Sequence, residues 1–296
     1  MPAGDGGAPS VLADTEVIDM ASTAVGDDFR IFVARCHAPD NEGVPVVYVT
    51  DANGMFGMTV DIIRYLQLGR LLPGMLVVGI GYPVDGFRAA QRLRSRDLTP
   101  TPRDEMNDGD GNPLPSGGAE QFLTFVADEL QPTVARRYAI GDDTTFVGHS
   151  FGGLFGAYTL LERPDTFDRY LLASPSIWWD DRVILGRTRQ ATPSGDGRPL
   201  SVAILVGEEE TPEGRRAAAI ATGASTSPTT SAHDLLADAH DYAAALTAWP
   251  RPGVDVRYRS LPGEHHTSTP SFAVSLGLRA LFAAPGADRL VPPFSG

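Results

Sequence analysis

The stretch Gly148-His149-Ser150-Phe151-Gly152-Gly153 sets a serine midway between two glycines. An apolar run, residues 144–147, leads into it, and a helical pattern, residues 154–161, leaves it. Strand, sharp turn and helix form the setting in which this spacing makes a nucleophile. The serine sits at the tip of a strained turn with its hydroxyl above the sheet. Gly148 and Gly152 carry no Cβ to hold strand and helix apart. The amide of Phe151, at the helix start, can donate to an oxyanion.

A serine hydroxyl attacks poorly at neutral pH unless a base takes its proton. Histidine titrates in the right range. A carboxylate must then orient that histidine and stabilise its imidazolium form. The chain supplies both groups after later strands. Glu208-Glu209-Glu210 follows the buried run 200–206, and His265-His266 follows the alternating run 254–260. Nucleophile, acid and base, each after its own strand, is the chain order of the α/β-hydrolases. His149 lies within the turn and reads as structural. His233 and His240 are seven apart, not the one-turn spacing of a metal pair, and read as a solvated helix face.

These groups need a scaffold, and the hydrophobic pattern describes one. Residues 15–21 and 29–36 alternate as two antiparallel strands around a Gly26-Asp27-Asp28 turn. Residues 45–50, 75–80, 170–173 and 200–206 are short apolar runs of the kind that form buried parallel strands. Helical patterns over 61–72, 119–138 (with Pro132 as a kink), 233–248 and 270–283 separate them. Strands alternating with helices predict an α/β fold: a mostly parallel central sheet covered on both faces, with antiparallel strands at its N-terminal edge. Residues 1–12 are rich in Gly, Ala and Pro and are expected to be disordered; 13–296 are expected to form a single α/β-hydrolase domain. The Ser/Thr/Pro-rich residues 223–231 are expected to be a flexible insertion. Residues 104–118 are polar and read as a loop beside the site. Their Asp108-Gly109-Asp110-Gly111-Asn112 segment lacks the glycine and glutamate of a calcium loop at the required positions.

Composition excludes several chemistries. The 296 residues carry a formal charge of −13, which argues against nucleic acid or an anionic membrane as partner. No apolar run is long enough to span a bilayer, and the first residues show neither the basic nor the apolar region of an export signal, so a cytoplasmic protein is expected. Cys36 is the only cysteine, which leaves no partner for an intrachain disulfide. All 24 basic residues are arginine, so a lysine Schiff base is impossible. Five of them crowd residues 88–103, a local cationic cluster in an acidic chain that can receive an anionic substrate. The paired Trp178-Trp179 after a strand read as pocket wall.

Beyond these readings, the chain resembles the esterase D superfamily of α/β-hydrolases, most closely its enterochelin (ferric siderophore) esterase-like branch. The resemblance runs from about Val17 onward. Its strings are Asp51-x-Asn53-x-x-Phe56, Ile80-Gly81-Tyr82-Pro83, Arg96-Asp97-Leu98-Thr99-Pro100, residues 117–122 (GGAEQF), residues 148–154 (GHSFGGL), residues 174–179 (SPSIWW) and Pro262-Gly263-Glu264-x-His266. It implies His266 rather than His265 as base and Glu210 as acid, with Glu209, or a Ser–His dyad without an acid, as the alternatives. It implies the amide of Asn53 as a second oxyanion donor beside Phe151. Ala52 stands where relatives carry glycine. A serine esterase of small-molecule carboxylic esters, needing no metal or organic cofactor, is the function implied. A siderophore lactone is the sharper substrate expectation, with Arg96, Trp178 and Trp179 as substrate-binding residues. An acyltransferase using the same machinery and a non-catalytic binding protein on a hydrolase scaffold are the rivals. Oligomeric state is not specified.

Overall fold

The computed structural model describes residues 12–39, 43–108, 111–192, 197–222 and 232–283. The expectations for residues 1–11 and for 223–231 therefore lie outside the described residues. Among the described residues the strands are β1 (Thr15–Ser22), β2 (Asp27–Cys36), β3 (Val44–Val49), β4 (Met75–Gly81), β5 (Ile140–His149), β6 (Arg169–Ala173), β7 (Leu200–Gly207) and β8 (Val254–Leu261). They form one sheet in the order β1-β2-β4-β3-β5-β6-β7-β8. β1 and β2 are antiparallel, β2 is antiparallel to β4, and the remaining pairs are parallel. This is the α/β-hydrolase arrangement the pattern predicts.

Strand alternation divides the core into two layers. In β7, Val202, Ile204 and Val206 face one layer while Ala203 and Leu205 face the other. The first layer is closed by α3 (Ala119–Thr124), α4 (Gln131–Arg137), α5 (Phe151–Glu162), α6 (Trp179–Gln190) and α8 (Leu235–Thr247). The second is closed by α1 (Ala52–Leu68) and α9 (Thr269–Phe282). Helices α2 (Gly86–Asp97) and α7 (Pro212–Thr222) follow β4 and β7. α9 lies close on the sheet because Gly277 has no side chain: a Cβ there would come within 2.3 Å of Leu171 Cδ1. Cys36, at the end of β2, is wholly buried in the second layer, and that burial pushes its thiol pKa up to about 11.

Four elements differ from the pattern. α1 starts at Ala52, nine residues before the expected helix at Asp61, so the expected 51–56 loop is the helix's first turn. The early start depends on Asp51, whose φ of 57° turns the chain directly from strand to helix. Pro132 removes a backbone donor and crowds the carbonyl four residues back. The chain accommodates it with a π-helical turn, Phe125–Leu130, between α3 and α4. α6 and α7 have no counterpart in the expected elements. α6 opens through three consecutive left-handed residues, Asp180, Asp181 and Arg182, which interrupt its helical pattern.

Candidate active site

β5 ends at His149, and Ser150 takes φ 60° and ψ −116° before α5 begins at Phe151. A non-glycine residue there is strained, and such strain persists only where the surroundings fix it. Here they do. The Ser150 amide donates to Ala173 O at 3.0 Å, and its carbonyl accepts from Leu154 N at 2.9 Å and Ser176 N at 3.1 Å. A Cβ on Gly148 would lie 2.3 Å from Gly152 O, and one on Gly152 would lie 2.4 Å from Thr50 Oγ1. The two glycines thus let β5, α5 and the end of β3 converge under the serine. The Ser150 hydroxyl is 3.4 Å from that of Ser176.

The acid and base meet at the ends of β7 and β8. His266 Nδ1 lies 2.6 Å from Glu210 Oε2. Glu210 is fully buried. Its Oε1 accepts from Ser174 Oγ at 2.5 Å, Gly207 N at 2.9 Å and Thr269 Oγ1 at 3.0 Å. Burial alone would raise its pKa, but the bond and charge of His266, then Ser174 and Gly207, outweigh it and hold the carboxyl below its usual range. Of the glutamate run, Glu208 instead accepts from Ser260 Oγ at 2.8 Å, and the Glu209 carboxylate lies close to Gly214. The His265 carbonyl accepts from Thr269 N at 2.9 Å and from Thr269 Oγ1 at 2.9 Å, which joins the His265-His266 loop to α9. His149 is the inner wall: its ring lies 4.5 Å from that of His266. Burial, then the charges of His266 and Arg94, hold its pKa well below that of ordinary histidine, so it is neutral.

Two helices start near the serine: α5 directly after it, and α1 at the end of β3, the strand beside β5. Phe151 is the first residue of α5 and Asn53 the second of α1, and amides in a first turn have no intrahelical acceptor. The first turn of α1 is fixed by side chains. Asp51 is buried with Arg94, Nε to Oδ1 at 2.6 Å and Nη2 to Oδ2 at 2.9 Å. The Asn53 side chain brackets Tyr82: Nδ2 donates to Tyr82 O at 2.9 Å and Val84 O at 3.0 Å, and Oδ1 accepts from Tyr82 N at 2.8 Å. Ala52 packs its methyl against Gly79, where a Cβ would come within 2.8 Å of it.

The expected substrate contacts divide. Trp178 and Trp179 are buried and pack against Phe151, with ring centroids 6.2 and 5.3 Å away. Arg96 has its whole guanidinium engaged: Nε with Asp97 at 2.6 Å, Nη2 with Asp97 at 3.1 Å and Nη1 with Asp27 at 2.8 Å. It ties α2 to β2, 69 residues away in sequence. His233 also differs from the pattern. It precedes α8 rather than lying on its solvated face, is only partly exposed, and stacks on Trp178 with centroids 4.7 Å apart and planes at 13°. His240 is exposed, over Tyr258.

Sequence reasoning missed Ser174, Thr269 and Arg94. Ser174 lies inside the SPSIWW string, so the signal was present without a role for it. Arg94 belongs to the cationic cluster, and nothing local marks Asp51 as its partner 43 residues away.

A serine on a strained strand–helix turn, with a carboxylate-bound imidazole packed against the ring of the preceding residue His149, can perform acyl transfer. The family model with the description "Putative esterase" matches residues 22–269. The chain belongs to this esterase family. The esterase is 34% identical over 210 residues to the ferri-bacillibactin esterase BesA of Bacillus subtilis, covering 67% of this chain and 72% of the relative. It is 32% identical over 248 residues to the siderophore triacetylfusarinine C esterase of Aspergillus fumigatus, covering 81% and 82%. Among solved structures, the BES protein from Bacillus cereus superposes with a TM-score of 0.75 at 25% identity, over 94% of this chain and 99% of that one. Family membership assigns the esterase carboxylic ester hydrolysis. No described helix is long and apolar enough to cross a membrane.

Proposed function

We propose that the esterase hydrolyses the ester bonds of a siderophore through a Ser150–His266–Glu210 triad. The 2.6 Å contact between His266 Nδ1 and Glu210 Oε2 carries this reading, with the His266 ring packed on His149, the residue before the strained Ser150. Glu210 keeps the proton of the neutral imidazole on Nδ1 and leaves Nε2 free to accept. As Ser150 Oγ bonds to the ester carbonyl carbon, its proton passes to Nε2. The amides of Phe151 and Asn53 receive the oxyanion. Collapse of the tetrahedral adduct breaks the bond to the alkoxide, which takes the proton from His266. Water then repeats the sequence on the acyl-enzyme, with His266 again as base, and Ser150 is released with a carboxylic acid product.

The substrate class comes from the two relatives, named for ferri-bacillibactin and for triacetylfusarinine C. The reading places the reaction in the cytoplasm, where fractionation with activity assays would locate it. Trp178 and Trp179 serve as an aromatic wall beside the acyl-enzyme.

Intact-mass spectrometry after treatment with a fluorophosphonate is the first test. The expected result is one adduct on the wild type and none on Ser150→Ala, with loss of hydrolysis of a ferric siderophore ester by the same variant. An unlabelled wild type, or an active Ser150→Ala, would overturn the mechanism.

A further inference from the structure

Around His233, which stacks on Trp178, three segments each supply a cation. Arg103 comes from the loop after α2, Arg182 from the left-handed turn of α6, and Arg215 from α7. Burial first, and then the charges of Arg215, Arg103 and Arg182 in that order, lower the pKa of His233, against a smaller opposing effect of Asp181. All three arginines therefore lie within electrostatic reach of one neutral imidazole stacked on Trp178. Their pairing differs. Arg103 pairs with the exposed Glu105 and places its guanidinium 5.8 Å from the Trp179 ring. Arg182 pairs with Asp238 at 2.7 Å.

Arg215 is distinct. Its Nη1 donates to the Glu210 carbonyl at 3.2 Å, on the backbone of the residue that holds His266. Its Nε and Nη2 are buried and have no hydrogen-bond partner among the described residues. Glu210, Asp234 and Asp238 act on it through charge, and neither Nε nor Nη2 bonds to any of them. A guanidinium donor taken out of water and left unbonded is costly, and an arriving anion removes the cost.

We propose that Arg215, assisted by Arg103 and walled by His233 and Trp178, forms an anion subsite that selects esters carrying negative charge near the scissile bond. This rests on the ester-hydrolase reading above and assigns its charge selectivity to α7 and the loop after α2, not to Arg96. Two buried donors on a planar guanidinium suit a bidentate carboxylate or catecholate. Arg103 adds charge and an aromatic-backed face.

The test compares kcat and KM for two charged esters, each with its neutral methyl ester. In 4-acetoxybenzoate the charge is on the leaving group; in 4-nitrophenyl hydrogen glutarate it is on the acyl group. The wild type is expected to favour the charged member of at least one pair. Arg215→Gln is expected to reduce that preference about tenfold, through KM rather than kcat. Arg103→Gln should reduce it by a smaller factor, and this holds as a second test if Arg215→Gln does not fold. Arg216→Gln alters an exposed neighbour bonded to Glu213 and the Pro212 carbonyl, and should keep the wild-type preference. A wild type that hydrolyses neutral esters and labels with fluorophosphonate but shows no charge preference would overturn the subsite alone. So would an undiminished preference in Arg215→Gln and Arg103→Gln, which would make Arg215 a counter-charge to Glu210, Asp234 and Asp238. A wild type that does not label fails the esterase reading itself.

Discussion

Glu210 combines two roles that can be separated by experiment. Its Oε1 is held by Ser174, Gly207 and Thr269, and its Oε2 meets His266. Glu210→Gln preserves the shape but removes the charge that stabilises the imidazolium. Its kcat is expected to fall by about 10² to 10⁴ with little change in KM, because the loss is felt when His266 is protonated. Titration gives a second signature. The folded pKa of Glu210 is depressed below the ordinary 4.5, so its stabilising effect is complete above that pH and is lost as pH falls through the lower folded value. The wild type should therefore lose thermal stability more steeply below about pH 4.5 than Glu210→Gln does. Parallel melting curves of the two proteins across that range would contradict the assignment. Ser150, the Glu208–Glu210 run and the His265-His266 pair were legible from type, order and position after strands; the family resemblance singled out Glu210 and His266, the two that lie 2.6 Å apart. Arg96 illustrates the limit. A charged residue within a basic run reads as available, whereas its partner Asp27 is 69 residues distant and comes beside it only on folding.

The strand–turn–helix around Ser150 is local, and it was read correctly from a few consecutive residues. The start of α1 was not, because its sharp entry needs Asp51 in a left-handed conformation held by Arg94 from another helix. α6 was hidden for a related reason: its first residues break helical geometry, so the 3.6-residue pattern is short there. Glycines give a graded test of how tightly elements are joined. At Gly277 a new methyl group meets Leu171 side-chain carbons, which can shift; at Gly148 it meets the backbone carbonyl of Gly152, which cannot. Gly277→Ala should cost about 1–3 kcal/mol as an overpacking change. Gly148→Ala should cost more, or yield no folded protein. Equal melting temperatures for the two variants would show that the elbow is less tightly packed than the distances imply.

All eight strands belong to one sheet, and each interior strand packs its two faces against different helix layers. We therefore propose that the chain from residue 13 onward unfolds as a single unit. Calorimetry should give one transition whose calorimetric and van't Hoff enthalpies agree, and two resolved transitions would refute it. The fold class was readable because hydrophobic alternation and strand–helix succession are properties of the whole chain, not of any one contact.

Cys36 is the sole thiol, sealed beneath α1 at the end of β2, and its burial keeps it protonated well into alkaline solution. A thiol-specific reagent can react with the chain only after β2 and α1 have parted. The labelling rate at Cys36 is then a clock for opening of that layer, with one event per molecule and no competing site. Because the layer carries the first turn of α1 with Asn53, the same clock reports how often the flank of the active site comes apart.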